Sequence, residues 1–202
     1  MINMHAEVKY FDKWAVDEIK VDVGLKNYIA LTPLFFPKTG GKNAKTAFGK
    51  SKTSIVERLI NKLFVVGHKG KKHKITSGQN VGNTYRCMNI VIDAFERIEK
   101  QTKKNPIEVL VNAVQNSSPI EEVISFQKRG IIVRDIVLTS PQRRVDLALR
   151  HISQGSYKTC FNNKKTASVS LSEEIINASN NNAKSYAITE KERREKEAMG
   201  AR

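Results

Sequence analysis

The sequence is short of cysteine, of acidic residues and of long apolar runs, and each shortage argues against a class of protein. The two cysteines, Cys87 and Cys160, stand in no Cys-x-x-Cys or Cys/His spacing, so zinc sites and disulfide frameworks lack a signature and buried free thiols are expected. No apolar run approaches the roughly 20 residues that span a bilayer, and residues 1–10 lack a signal-peptide core. We therefore expect a cytosolic chain with no membrane partner, no metal and no cofactor.

The shortage of acids leaves the chain strongly basic. It carries 35 Lys and Arg against 20 Asp and Glu among 202 residues, a formal net charge of +15. An excess of this size repels itself in a compact domain and becomes favourable beside a polyanion. With no sign of a membrane segment, the charge predicts a nucleic-acid partner.

Composition divides the chain near residue 52. Residues 1–37 mix acids with aromatic residues such as Trp14, and predict an irregular arm laid over another surface. Residues 38–52 set Lys45, Lys50 and Lys52 among glycine and alanine, which predicts a flexible basic segment that awaits a partner. The expected domains are therefore an N-terminal extension over 1–52 and a helical domain over 53–202.

Apolar residues recur at helical spacing through most of residues 53–202. Ile55 to Val66 predicts a first amphipathic helix with Glu57 and Arg58 on its polar side. Asn105 followed by Pro106 predicts the start of a helix apolar enough for the centre of the core, and a capping box of Thr189 with Glu192 predicts the start of a last, largely solvated helix. The pattern indicates a mainly α fold, a single domain of about six helices.

One stretch departs from helical spacing, at about residues 120–138. Val123 to Phe126 and Ile131 to Leu138 are rich in β-branched residues and flank the basic residues 127–130, which predicts a two-stranded β-hairpin with a basic tip. Two strands alone form a marginal sheet, so the hairpin is expected to protrude from the helical body and contact a partner. Glu121 and Glu122 are expected to be solvated charges on opposite faces of the first strand.

A helix start with unusual charge follows the hairpin. Ser140 and Pro141 suit the N-cap and first helical positions, yet Arg143 and Arg144 occupy the first turn, where the helix dipole favours acids. A bound anion would resolve this conflict, and Arg150 with His151 continues the same basic arc. The alternative is that both arginines are simply solvated.

Two other functional classes fit the sequence less well than RNA binding. Ala44 to Ser51 loosely resembles a phosphate-binding loop and Asn89 to Asp93 an acidic strand end, but no strand precedes the first and helical spacing surrounds the second, so an NTPase is disfavoured. A free DNA- or RNA-binding regulator should present a recognition helix and a dimer surface. Here the basic groups are scattered, including a second basic loop at His68 to Lys74, and scattering suits one large folded RNA.

Five ordered segments carry a resemblance to a known family: Ser54 to Leu59, Asn105 to Val114, Ser140 to Val145, Glu174 to Ala178 and Ser185 to Ile188. Together they make the chain resemble the universal small-subunit ribosomal protein seven family, in its eukaryotic form. The arm resembles an extension that the bacterial form lacks.

The resemblance implies a structural protein and not an enzyme. It would bind the 3′ major domain of small-subunit rRNA, start assembly of the subunit head, and place its hairpin near the mRNA exit and the exit-site tRNA. It would contact neighbouring small-subunit proteins of the head and platform, in cytoplasmic ribosomes whose assembly begins in the nucleolus.

The resemblance also implies which side chains face RNA. The rRNA-binding positions would be Lys45, Lys50, Lys52, Arg58, Lys69, Lys71, Lys72, Lys74, Arg143, Arg144 and Arg150. The hairpin positions near mRNA and tRNA would be Lys128, Arg129 and Arg134. The chain departs from the family pattern at Ile120, where an arginine is usual, and at Asp135, which replaces the second of two arginines on the returning strand.

Overall fold

Helices form most of the computed structural model, which describes residues 8–16, 19–66 and 83–201. In that part of the chain they are α1 Ile55–Phe64, α2 Thr84–Thr102, α3 Pro106–Asn116, α4 Pro141–Cys160, α5 Ala167–Ser179 and α6 Tyr186–Met199. Between α3 and α4 the strands β1 Glu121–Lys128 and β2 Ile131–Leu138 pair antiparallel. The mainly α fold with one hairpin is confirmed.

Polar side chains start several helices by accepting hydrogen bonds from first-turn amides. Asn83 caps α2, Asn105 caps α3 ahead of Pro106, and Ser185 caps α6 by accepting from the amide of Ile188. The predicted start of the last helix at Thr189 is wrong, because Ser185 supplies a cap one turn earlier. Ser140 occupies the N-cap position of α4 as predicted, but its hydroxyl makes no capping bond.

The core lies where α5 packs against α2, α3 and α4. The predicted central helix is confirmed, because the apolar side chains of α3 are buried on almost every side, including Ile107, Leu110 and Val114. A buried carboxylate, Glu174 of α5, accepts from the hydroxyl of Ser185 at 2.8 Å and the amide of Ala187 at 3.0 Å. It thereby ties α5 to the start of α6.

The N-terminal arm lies against this core, as the sequence predicts for a chain segment laid over another surface. Tyr10 and Trp14 are buried, and the Trp14 ring meets Phe95 edge to face at 5.6 Å between centroids. The indole N–H of Trp14 donates to Glu99 at 3.0 Å, and the hydroxyls of Tyr10 and Ser54 are 2.6 Å apart. The aromatic residues therefore attach the arm to protein.

Residues 38–53 are folded against α1 and not extended, with short 3-10 turns at Lys42–Lys45 and Gly49–Lys52. The amide and hydroxyl of Thr39 both donate to one oxygen of Glu57 at 2.8 Å. The prediction that Glu57 and Arg58 form a polar outer side of the first helix is wrong, since both are buried. This segment and the arm supply partners that cover that side.

The hairpin turns tightly at a two-residue tip. Lys128 pairs with Ile131, which leaves Arg129 and Gly130 as the loop, with φ angles of 51° and 83°. Positive φ at both central residues is what a type I′ turn requires, and its twist matches that of the flanking strands. The predicted basic tip is confirmed.

The prediction of two buried free thiols is confirmed for Cys87, which is buried, but not for Cys160, which is only half-buried. Within residues 8–16, 19–66 and 83–201, the structure groups no metal-binding set of His, Cys, Asp and Glu. No helix in the described ranges has the length and apolarity to cross a membrane.

Candidate nucleic-acid interface

A group of cations surrounds one carboxylate on the surface where α1 meets α4. Asp146 of α4 accepts from Lys50 Nζ at 2.6 Å and from Arg58 Nη2 at 3.1 Å. Burial of Asp146, the largest single effect, opposes its ionisation, but the hydrogen bonds and positive charges of Lys50 and Arg58 together outweigh burial and hold the pKa of the carboxyl below its ordinary value. With Lys62 and Arg150, which lie within electrostatic range, these residues form what we call the Asp146 cluster.

Arg58 has a structural role in the Asp146 cluster. Its side chain is only 3% exposed, and a second guanidinium nitrogen, Nη1, donates to the carbonyl of Tyr28 at 2.7 Å. The resemblance places Arg58 among the rRNA-facing residues, but the structure leaves it little surface for a phosphate. Its buried guanidinium instead fixes Asp146 and the Tyr28 part of the arm to α1.

Lys62 is a cation of this surface that the sequence analysis missed. Burial is the largest cause that lowers the pKa of its ammonium group, followed by the nearby charge of Lys50, and Arg150 and Arg58 act in the same direction. Lys62 is therefore a partly buried cation that stands beside the positive charges of Lys50, Arg150 and Arg58. Spacing in the sequence could have identified Lys62, because it lies four residues, about one helical turn, after Arg58 and so on the same face of α1.

Arg143 has a carboxylate partner at the base of the hairpin. Its Nε and Nη2 donate to the two oxygens of Glu122 at 2.5 and 2.9 Å, a fork that raises the pKa of Arg143. The sequence predicts that an anion binds the arginines in the first turn of α4. In the structure the anion beside Arg143 is the carboxylate of Glu122. The prediction that Glu122 is solvated is wrong, because Arg143 and Arg194, the latter at 3.7 Å, enclose it.

The remaining basic residues of α4 divide between surface and interior. The side chain of Arg143 stays 55% exposed despite its pairing, Arg150 is exposed, and Arg144 is half-buried with no hydrogen-bond partner for Nε among the described residues. The grouping of His151 with this basic arc is wrong, because His151 is 4% exposed between α4 and α6. Burial and then the charge of Arg194 lower the pKa of His151 to about 4, so it adds no charge at neutral pH.

The other predicted positions that the structure describes are exposed to solvent. Lys45 and Lys52 belong to the folded basic segment, and Lys128, Arg129 and Arg134 to the hairpin. Four further predicted positions fall outside the described residues: Lys69, Lys71, Lys72 and Lys74.

The two segments that loosely resemble an NTPase site, residues 44–51 and 89–93, do not form the geometry of such a site. Asn89 to Asp93 lie inside α2 and not at the end of a strand. Residues 44–51 form 3-10 turns, with no strand before them in the described part of the chain. A phosphate loop needs a strand that delivers it to a helix start, so this hypothesis is wrong.

Comparison with known proteins gives one consistent answer. A family described as ribosomal protein S7p/S5e matches residues 26–202. The chain is similar to the small ribosomal subunit protein uS7 of Nanoarchaeum equitans, 45% identical over 197 residues that cover 97% of this chain and 100% of that protein. It is also similar to uS7 of Methanococcoides burtonii, 43% identical over 96% of this chain and 99% of that protein, and of Archaeoglobus fulgidus, 43% identical over 97% and 96%.

The alignments with the archaeal proteins extend over the N-terminal arm. Because they cover 96 to 97% of the chain, they include most of residues 8–37. The arm is therefore shared with archaeal proteins and does not by itself mark a eukaryotic form.

Proposed function

This chain belongs to the ribosomal protein S7p/S5e family, and from that membership we propose that it binds the 3′ major domain of small-subunit rRNA and starts assembly of the subunit head. As a family member it is a structural constituent of the small ribosomal subunit, which places it in cytoplasmic ribosomes beside rRNA and other ribosomal proteins. An origin in a eukaryote and a nucleolar start of assembly stay predictions.

The observation that best supports rRNA binding is the excess of positive charge on the surface where α1 meets α4. In the Asp146 cluster four cations stand around one carboxylate, and that carboxylate is already engaged by Lys50 and Arg58. Arg150 has no carboxylate within ion-pair distance among the described residues, and Arg143 keeps an exposed edge beyond Glu122. Phosphates are the partner that such a surface binds most favourably.

The spread of cations favours a folded RNA over other partners. Exposed basic groups occur on residues 45–52, on α4 and on the hairpin, so that one partner must have a broad, shaped surface to reach them all. Folded RNA is read mainly through its shape and its backbone, which suits lysines and arginines distributed over several elements. We accordingly propose no catalytic role.

We also propose that the hairpin reaches the mRNA exit and the exit-site tRNA. The support is the tip at Arg129 and Gly130, flanked by Lys128, and the exposed Arg134 opposite Ser125 on the same hairpin. The hairpin is fixed to the body at its base through Glu122, so its tip projects from a held position.

Charge reversal of two cations tests the proposal. The full chain and its K62E/R150E variant are titrated with a transcribed 3′ major domain fragment over a range of salt concentrations. We expect the variant to bind more weakly and the slope of log affinity against log salt to fall by about 1 to 2, because up to two phosphate contacts are lost.

The matched control reverses the same charge outside the proposed surface, in the variant K100E/K104E, at the end of α2. It should keep an affinity within a few fold of the unmodified chain, and circular dichroism checks that both variants fold. Equal losses in the two variants would show that only net charge matters and would contradict the proposed surface. The R143E/R144E variant should in addition fail to sediment with small subunits.

A further inference from the structure

Phe48 is held in a position that its side chain does not favour. The residue is 73% exposed, and its backbone has a φ of 55°, in the left-handed region that bulky residues rarely adopt. It lies directly before the 3-10 turn Gly49–Lys52, whose first residue is buried too closely against Asn43 to carry a side chain. A strained, exposed aromatic residue on a fixed turn indicates a binding role for the ring.

Two surface cavities meet at this residue. One, of about 310 Å³, is lined by Tyr28, Phe48, residues 140–143, Asp146, Leu147 and Arg150. The other, of about 340 Å³, is lined partly by Lys50, Asn61 and Gln142, and again by Phe48. Phe48 therefore stands between two openings that both border the Asp146 cluster.

The first cavity combines an aromatic wall with a cationic rim. Tyr28 and Phe48 supply rings, while Arg143 and Arg150 supply guanidinium groups that are exposed to solvent. Its single carboxylate, Asp146, is occupied by Lys50 and Arg58, so that it does not repel an incoming phosphate as a free acid would. Proteins bind unstacked RNA bases by laying them on aromatic rings or arginine planes, with basic groups on the adjacent backbone.

We propose that this cleft binds one unstacked base of the rRNA, stacked on the Phe48 ring, with the flanking phosphates on Arg143 and Arg150. The inference rests on the proposed rRNA binding and adds to it a site for a single nucleotide. Gln142 lines both cavities and offers an amide to the edge of the base. A stacked base accounts for an exposed ring at this position, since a lysine would bind a phosphate better than a phenylalanine does.

The chain provides matched controls for this ring. Phe35 and Phe36 are also exposed, at 62% and 51%, but neither lines the two cavities that meet at Phe48. The variants F48A, F48W and F36A of the full chain are titrated with the 3′ major domain fragment. We expect F48A to bind about 5- to 140-fold more weakly, the loss typical of one base stack, and F48W and F36A to stay within about twofold of the unmodified chain.

Two further measurements separate stacking from a structural effect. The salt slope of F48A should equal that of the unmodified chain, because the phosphate contacts remain. Short-wavelength ultraviolet light should crosslink a nucleotide to the peptide that contains Phe48, as found by mass spectrometry. F48A should lose this adduct.

The outcomes distinguish this inference from the proposed function. If the unmodified chain binds the fragment while F48A matches F36A, the base site is refuted and rRNA binding stands. If F48A loses salt slope together with affinity, Phe48 acts by supporting the turn, and the stacking role is refuted. If the unmodified chain does not bind the fragment, both proposals fail.

Discussion

Acidification should destabilise the protein through His151, at the contact between α4 and α6. The imidazole is buried with both nitrogens lacking a hydrogen-bond partner among the described residues, and its pKa is lowered from 6.5 to about 4 by burial, then by Arg194. The unfolded chain therefore binds a proton that the folded chain does not, and stability is lost as the pH falls from about 6.5 towards 4. Between about pH 7.5 and pH 5 the expected loss is about 2 kcal/mol.

The assay is urea unfolding of the full chain and of H151L at both pH values. Leucine has no charge to gain and leaves no hydrogen bond unmade, so the variant should be at least as stable near pH 7.5. The quantity that tests the reasoning is the difference between the two proteins, since carboxylates and other groups contribute equally to both. An acid-induced loss that is the same in H151L would refute the role of His151.

Two further changes probe how the helices and the hairpin are held. G155A should cost about 1 to 3 kcal/mol in thermal unfolding, because a Cβ there would lie 2.7 Å from the carboxyl carbon of Glu174, whereas G24A, whose nearest atom is 3.8 Å away, should change little. A larger effect at Gly24 would contradict this packing argument. E122A removes the partner of Arg143 and should cost about 1 kcal/mol, since the half-exposed guanidinium regains water, with faster tryptic cleavage at the hairpin tip; unchanged cleavage would show that the ion pair does not hold the hairpin.

The elements that the sequence predicts correctly carry their signal within a few residues. The helix that follows Asn105 needs only a cap, a proline and an apolar run, and all three are adjacent. The hairpin needs only β-branched residues on either side of a glycine-containing turn. Both Ser185 and Thr189 satisfy local capping rules, so the sequence alone does not decide where the last helix begins. In the structure Glu174, on another helix, accepts from the amide of Ala187 and supports the earlier start.

The errors at the candidate site share a different cause. Glu57, Arg58, Glu122 and His151 are polar residues that the sequence places at the surface, and all four are buried. Except for His151, they are covered by partners distant in the chain: Arg58 meets Asp146 across 88 residues and Glu122 meets Arg143 across 21. Periodicity describes one element at a time, so it identifies a polar side chain without showing what will pair with it.

The position of the arm has a consequence for the timing of folding during synthesis. Trp14 leaves the ribosome long before its partner Glu99, which is 85 residues later in the chain, and Asn105, which donates to the carbonyl of Ala15, is 90 residues later. At about 5 to 20 residues per second, the arm waits roughly 4 to 18 seconds before these contacts can form. During that interval the arm cannot complete its contacts, so a segment that is made early reaches its native place only after about half of the chain has been made.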